Sequence, residues 1–216
     1  MKKLFTAIRK KDNETVKQLI ERKPELVNCT AKQPPKKDDG QSPLQVALKT
    51  GNFEIADFLL DKGADINFME CEETCYNDWR VPVLHDAVIA AVMNCRYMSA
   101  EKYAEIYGKA FKPDESYAVL ERMLKMGADI NKRESFGAGC AYRLCRQAEE
   151  YVLPRYNYGT HEISSETTVS DELRSDLSRL FLLLKRYGAD FSDEEIKYRY
   201  KDDNNPVREF LELVKD

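Results

Sequence analysis

The sequence predicts an all-α protein, a solenoid built from stacked helix–turn–helix units. A short string recurs along the 216-residue chain, at residues 62–67 (Lys-Gly-Ala-Asp-Ile-Asn), 126–131 (Met-Gly-Ala-Asp-Ile-Asn) and, less closely, 187–192 (Tyr-Gly-Ala-Asp-Phe-Ser). Each copy follows an amphipathic helical run with adjacent large apolar residues, such as residues 58–60 (Phe-Leu-Leu) before the first copy. This combination is typical of repeat proteins, in which each unit covers its apolar face with its neighbours.

Residues 42–67 form the clearest unit. Pro43 indicates a helix start, because proline has no N–H to leave unsatisfied in the first turn. Gly51 permits the positive φ of a tight turn between two helices. Gly63 predicts a left-handed cap at the end of the second helix. The unit is therefore expected to be a pair of antiparallel helices.

This unit resembles the ankyrin repeat, which begins Thr-Pro-Leu-His-x-Ala and ends Leu-Leu-x-x-Gly-Ala-Asp-x-Asn. Residues 42–47 read Ser-Pro-Leu-Gln-Val-Ala, and residues 59–67 read Leu-Leu-Asp-Lys-Gly-Ala-Asp-Ile-Asn. The departures are Ser42 for threonine and Gln45 for histidine. The resemblance extends over about residues 4–191. It implies a stack of helix pairs whose concave face and inter-repeat loops bind another protein.

We expect a single ankyrin-repeat domain over residues 1–216. The first repeat has a degenerate ending and lysine-rich faces, which suit the polar outer surface of a terminal unit. Its helices are expected at residues 4–11 and 13–21. The four predicted repeats cover about residues 4–28, 42–67, 83–131 and 139–191. The C-terminal helical cap that follows them covers residues 192–216.

The third repeat carries an insertion at residues 94–113. Tyr103, Tyr107 and Phe111 recur there at helical spacing, so an extra helix is expected. Asp114 is a candidate N-cap for the helix that follows.

The fourth repeat begins with a helix at about residues 140–150, followed by a long polar loop at 154–169. Ser170 is the expected cap of its second helix. In the tail, residues 192–195 (Ser-Asp-Glu-Glu) form a capping-box pattern, and the Asn-Pro pair at 205–206 predicts the start of a final helix.

Composition excludes several classes of function. The formal net charge is −4, from 34 basic and 38 acidic residues, whereas general nucleic-acid binding usually needs a basic excess. The longest apolar run, residues 87–93, is far too short to span a membrane, and residues 4–8 are too few for a secretion signal. We therefore expect a monomeric, cytoplasmic protein without a cofactor, whose six cysteines are free thiols.

The loop between the second and third repeats is the strongest candidate for a binding site. Trp, Tyr and Arg dominate the energetics of protein interfaces, and acidic residues favour a basic partner. The competing interpretation is that Phe68 and Trp79 pack this loop onto the stack. The candidate partner-binding residues are Phe68, Glu70, Glu72, Glu73, Tyr76, Asp78, Trp79 and Arg80.

We predict a non-enzymatic module that recognises a protein partner, since no nucleophile elbow, phosphate loop or dinucleotide fingerprint occurs in the sequence. One alternative is a bacterial immunity or inhibitor protein, because the acidic loop would suit a basic toxin. A second is a zinc-binding or enzymatic protein that uses Cys71, Cys75 and His85, although zinc normally needs four ligands. His85 also occupies the histidine position of the repeat, where the resemblance implies a structural hydrogen bond. A third is a self-associating scaffold.

Overall fold

The protein is mostly helical, and the part of the chain that the structure describes contains eleven α-helices and one two-stranded sheet. A computed structural model describes residues 1–32, 38–73, 78–163 and 168–215. The helices are α1 Lys2–Lys10, α2 Asn13–Arg22, α3 Pro43–Lys49, α4 Phe53–Asp61, α5 Val83–Val92, α6 Ala100–Tyr107, α7 Pro113–Lys125, α8 Cys140–Tyr151, α9 Asp171–Arg186, α10 Glu194–Arg199 and α11 Arg208–Glu212. The strands are β1 Tyr156–Asn157 and β2 Glu162–Ile163, and a 3₁₀ helix covers Pro24–Asn28.

The helices form two parallel rows. Helices α1, α3, α5 and α8 contact one another in that order, and helices α2, α4, α7 and α9 form the second row. Each member of the first row also packs against a member of the second, as α1 does with α2 and α5 with α7. At the C-terminal end α10 lies against α8 and α11 against α9, so this last pair extends both rows. The predicted all-α solenoid is confirmed.

One apolar core runs through the whole stack. Leu4, Leu59, Leu120 and Leu184, which lie on four different helices, are each almost completely buried. Ala47 has no exposed surface, as expected for a small residue where two helices approach each other. Because each helix pair covers only part of its apolar surface by itself, the core becomes continuous only through stacking.

The helix ends of the second unit follow the sequence signals. The Ser42 hydroxyl accepts a hydrogen bond from the Gln45 N–H at 3.2 Å, and the Gln45 side-chain oxygen accepts one from the Ser42 N–H at 3.1 Å. This reciprocal pair is a capping box. Gly51 and Gly63 have φ values of 64° and 82°, so the predicted left-handed positions are confirmed. Ser170 also caps its helix as predicted, accepting from the Leu173 N–H at 3.2 Å.

The insertion contains the predicted helix, α6, but two details of the prediction were wrong. Helix α6 ends at Tyr107, because Gly108 adopts a left-handed conformation, and Phe111 lies beyond it. The Phe111 ring nevertheless stacks on Tyr103, with 3.6 Å between ring centroids. Asp114 is not an N-cap: it lies in the first turn of α7 and pairs with Arg179 at 2.9 Å.

The insertion is fixed at both of its ends. Arg96 donates to both carboxylate oxygens of Asp176 on α9, at 2.9 Å and 2.7 Å, and this carboxylate is almost completely buried. The Asn94 side-chain oxygen accepts from the Lys112 N–H at 3.2 Å. These contacts join the two ends of the insertion to each other and attach the insertion to the next helix pair.

The predicted polar loop at 154–169 contains a short antiparallel hairpin, which the sequence did not predict. Tyr156 in β1 pairs with Ile163 in β2. The hairpin lies against the C-terminal units, since the Tyr158 hydroxyl donates to the Glu149 carboxylate on α8. Tyr156 likewise reaches Asp202 with its hydroxyl.

The C-terminal pair begins later than the sequence predicted. Asp193, rather than Ser192, caps α10, accepting from the Glu195 N–H at 2.9 Å. Helix α11 begins at Arg208 and not at the Asn-Pro pair, because Asn205 forms a turn in which its side chain accepts from the Val207 N–H at 3.0 Å.

We expect Gly63→Ala to lower the free energy of unfolding by about 1–2 kcal/mol, because an alanine Cβ is strained at positive φ. No atom lies within 4 Å of the added Cβ, so the cost arises from the backbone and not from a clash. Gly139→Ala is the matched control, since Gly139 has a φ of −88° and equally open surroundings. Urea denaturation checks both variants, and equal destabilisation would contradict the assignment.

Candidate functional site

Two inter-repeat loops lie side by side and are joined by hydrogen bonds. We call residues 68–82 finger 2 and residues 132–139 finger 3. The Arg80 N–H donates to the Ser135 hydroxyl oxygen at 3.0 Å, and the Ser135 N–H donates to the Arg80 carbonyl at 3.0 Å. The Ser135 hydroxyl in turn donates to the carbonyl of Asp78 at 2.8 Å. The described parts of the two fingers therefore form one connected surface.

The base of finger 2 is attached to the stack. Met69 and Pro82 form an isolated β-bridge, and the Val83 N–H donates to the Phe68 carbonyl at 2.8 Å. Phe68 itself is half-buried and packs against the core. Of the two interpretations of Phe68, packing is therefore the one that its position supports.

Trp79 is held in place while remaining accessible. Its indole N–H donates to the carboxylate of Glu134 in finger 3. The guanidinium of Arg143, on α8, lies 5.0 Å from the indole ring centroid and donates to the same carboxylate at 2.7 Å. Trp79 nevertheless keeps 43% of its surface exposed. The tryptophan is thus both fixed by the loops and available for contact.

Phe136 is a second exposed aromatic residue and follows Ser135 on finger 3. It is 69% exposed, and the turn that presents it depends on Gly137, whose φ is 93°. Phe136 was not among the binding residues predicted from the sequence. Two features of the sequence could have identified it. Phe136 precedes a glycine, and it lies in the loop between the third and fourth repeats, which corresponds to finger 2 one repeat earlier.

Glu70 does not belong to an exposed acidic rim, which corrects the expectation for this residue. It is only 5% exposed. One carboxylate oxygen accepts from the Gln45 side-chain amide at 3.0 Å, and the other accepts from the Val81 N–H at 2.9 Å. Glu72 and Glu73, in contrast, are exposed.

The remaining members of the candidate set have different environments. Asp78 is exposed, whereas Arg80 is half-buried and lies 3.5 Å from the Glu72 carboxylate. Tyr76 lies outside the described residues, as does Cys75 of the alternative zinc site. The structure therefore brings together finger 2 residues with Glu134, Phe136 and Arg143, which lie far away in sequence.

His85 connects α5 to finger 3. Its side chain is completely buried, and its Nε2 atom lies 3.1 Å from the carbonyl oxygen of Lys132. This contact confirms the structural hydrogen bond that the resemblance implied. Burial, with a smaller contribution from Arg143, lowers the pKa of His85 to about 4. In the part of the chain that the structure describes, no three His, Cys, Asp or Glu residues group as metal ligands.

Gln45 occupies the equivalent histidine position one repeat earlier and also links neighbouring units. Its amide nitrogen lies 2.9 Å from a carboxylate oxygen of Asp86 and 3.2 Å from the Val81 carbonyl. Asp86 is only 2% exposed, and burial raises its pKa to about 6 although Lys49 lies 3.4 Å away. His85 and Asp86, which are adjacent on α5, are therefore two buried groups whose pKa values are shifted in opposite directions.

Four of the cysteines lie within the stack and are structural in position. Cys95, Cys140 and Cys145 are buried and Cys29 is partly buried. Burial is the main cause that raises the pKa of the Cys140 thiol to about 12. Such a thiol is protonated at neutral pH and is a poor nucleophile.

Comparison with known proteins identifies the repeat. Residues 3–70 match the family model described as ankyrin repeats (3 copies), which covers α1 to α4 and the start of finger 2. Residues 3–70 therefore contain ankyrin repeats, and the mostly helical stack as a whole is consistent with an ankyrin solenoid. Ankyrin repeats are generally protein–protein interaction modules. No curated protein matches the chain.

Among the described helices, none combines the length and apolar character needed to cross a membrane.

The opposite pKa shifts of His85 and Asp86 predict opposing effects on stability. The pKa of His85 is lower in the folded protein than its ordinary value of 6.5, so its contribution to stability is lost as pH falls from about 6.5 to 4. The pKa of Asp86 is higher than its ordinary 3.8, so its contribution is lost as pH rises from about 4 to 6. Between pH 4 and 6 the two contributions act against each other.

We expect each single variant to remove one of these contributions. When the pH falls from 7 to 5, the free energy of unfolding of His85→Gln should rise by about 2 kcal/mol relative to that of wild type. Over the same pH change, the free energy of unfolding of Asp86→Asn should fall by about 1 kcal/mol relative to that of wild type. Glutamine is a suitable replacement, since Gln45 already occupies the equivalent position. Urea denaturation at both pH values measures the differences. Parallel pH profiles for all three proteins would contradict the prediction.

Proposed function

We propose that this protein recognises a protein partner through fingers 2 and 3 and the adjoining helices of the first row. The proposed domain is the whole chain, with the helix pairs α1/α2, α3/α4, α5/α7 and α8/α9 as repeats 4–28, 42–67, 83–131 and 139–191. The pair α10/α11 would then be the cap at 192–216. The work of such a module is binding and not catalysis, in keeping with the usual role of ankyrin repeats.

The observation that supports this proposal most is the pair of exposed aromatic residues on connected loops. Trp79 and Phe136 are 43% and 69% exposed, and the loops that carry them are joined through Ser135. Large aromatic residues with a neighbouring arginine, here Arg143, are the residue types enriched at binding hot spots. Because hydrogen bonds already fix the loops, a partner would lose little free energy in ordering them.

The charged residues around this aromatic pair define the proposed rim. Glu72, Glu73 and Asp78 are exposed acids on finger 2, which favours a partner with a basic surface. Glu70 is left out of the rim because of its burial. The proposed contact residues are therefore Glu72, Glu73, Asp78, Trp79, Arg80, Phe136 and Arg143.

We expect the double variant Trp79→Ala, Phe136→Ala to weaken partner binding at least about thirtyfold, the effect of losing one or more hot-spot residues. Partners are first enriched from extract of the source cells on immobilised wild-type protein, and identified by mass spectrometry. The dissociation constant of a purified partner is then compared between wild type and variant by isothermal titration calorimetry.

Tyr107→Ala is the matched control, because Tyr107 is an exposed aromatic residue, 48% accessible, on the insertion helix α6. It should leave the affinity unchanged. If the control loses binding while the double variant keeps it, the contact surface lies on the insertion and the proposal is wrong. Denaturation curves must first show that both variants are folded.

A further inference from the structure

A groove of about 570 Å³ lies at the C-terminal end of the first row of helices. Its volume falls within the range of about 300–1,000 Å³ that is usual for binding sites. Three tyrosines from three separate elements line it: Tyr142 from α8, Tyr158 from the turn of the hairpin and Tyr198 from α10. We call this feature the tyrosine groove.

The tyrosines of the groove present their rings to a ligand. Tyr198 is 77% exposed and Tyr158 is 45% exposed. Tyr142 is the third residue of α8, the position that Gln45 holds in α3 and His85 in α5. Those two side chains form links to the next unit, whereas Tyr142 is partly buried and lines the groove. The fourth unit therefore adds an aromatic ring to the surface at a position that serves for linking elsewhere.

The lining of the groove has no surplus of charge. Its charged or titratable residues are His161, Glu195, Arg199 and Lys201. Arg199 donates to the buried Glu149 carboxylate at 2.8 Å, and His161 lies against the Asp202 carboxylate. One acid and one base, Glu195 and Lys201, balance each other in number. A neutral ligand therefore suits the groove better than a strongly charged one.

Two of the tyrosine rings already have a cation beside them. The Arg199 guanidinium lies 5.0 Å from the ring centroid of Tyr158, and the Lys201 ammonium lies 5.1 Å from that of Tyr198. Cations are attracted to the electron-rich faces of such rings. A further cation would be repelled by the two that are present, so the groove is not suited to a methylated ammonium group. Neutral apolar rings can pack against the remaining tyrosine surface.

The hydrogen-bonding groups of the lining favour a ligand that is rich in acceptors. The Lys201 ammonium can donate but cannot accept, and the hydroxyl groups of Tyr142 and Tyr198 can also donate. A proline-rich segment matches this pattern, because proline has no N–H and the carbonyls of a polyproline II helix have no partner within the helix. Its pyrrolidine rings are neutral and apolar. Aromatic-lined grooves bind such preformed segments at a low cost in entropy.

We propose that the tyrosine groove binds a proline-rich segment of the protein partner in the polyproline II conformation. The pyrrolidine rings would pack against the three tyrosines, and Lys201 and Tyr198 would donate to the carbonyls of the segment. Arg143, the neighbour of Tyr142 on α8, belongs to the contact surface proposed above, so one partner would extend from the fingers to the groove. This inference rests on the proposed function and names the segment that the partner would supply.

The test uses the full chain and the peptide acetyl-Pro-Pro-Pro-Pro-Pro-Pro-amide as the probe. We expect saturable shifts of the backbone amide signals of Tyr158 and Tyr198 in an NMR titration. The all-D-proline enantiomer has the same composition but forms a helix of the opposite hand, so it should bind at least about tenfold more weakly. Tetramethylammonium chloride tests for a cation-binding cage and should give no saturable shift.

Variants of the lining complete the test. Tyr198→Ala removes one aromatic wall and should weaken binding of the proline peptide at least about tenfold. Lys201→Met keeps the length of the side chain but removes the donor, and should weaken binding about two- to fivefold. Tyr151→Ala is the matched control, because Tyr151 is a 56% exposed tyrosine of α8 outside the lining. It should leave the affinity unchanged, and a denaturation curve checks that each variant is folded.

The proposal is overturned if the proline peptide gives no saturable shift or if its enantiomer binds equally well. It is also overturned if tetramethylammonium saturates the groove and the proline peptide does not, or if neither folded lining variant binds more weakly than the Tyr151 control. These outcomes leave the proposed function standing as long as the loss of Trp79 and Phe136 still weakens partner binding. If instead that double variant binds its partner normally, while the proline peptide saturates the groove, the finger surface is wrong and the groove is retained.

Discussion

The mutual covering of neighbouring helix pairs is the constraint on which the whole structure depends. A single pair in this chain leaves an apolar side uncovered, and stacking along two rows converts these sides into one continuous core. Stacking also fixes the spacing between the inter-repeat loops. Fingers 2 and 3 can therefore exchange hydrogen bonds through Ser135 only because the helix pairs beneath them are in register.

Buried polar side chains connect the helices to the loops through hydrogen bonds and so help to fix how neighbouring units align. His85 reaches from α5 to the Lys132 carbonyl at the start of finger 3, and Gln45 reaches from α3 to finger 2 and α5. Both occupy the same position of the repeat, so one motif position connects the second unit to the third and the third unit to finger 3. A buried polar group is costly unless it is hydrogen-bonded, and this cost makes the alignment of units specific.

The additions to the repeat pattern change the surface and leave the stack intact. The insertion closes on itself through the stacked rings of Tyr103 and Phe111, and Arg96 attaches it to Asp176 on α9. The hairpin between α8 and α9 covers the C-terminal units through contacts such as Tyr158 with Glu149. Both additions enter between the two helices of a pair and not between pairs, so the rows of helices remain continuous.

The sequence predicted the solenoid, the helix pairs and the left-handed glycines, because capping and apolar periodicity act over a few residues. It also identified finger 2 and Trp79 as candidates for a partner-binding site. The burial of Glu70 and the contact of Arg143 with Trp79 became apparent only in the folded structure. The physical reason is that burial and ion pairing depend on contacts between residues distant in the chain, which no local pattern specifies.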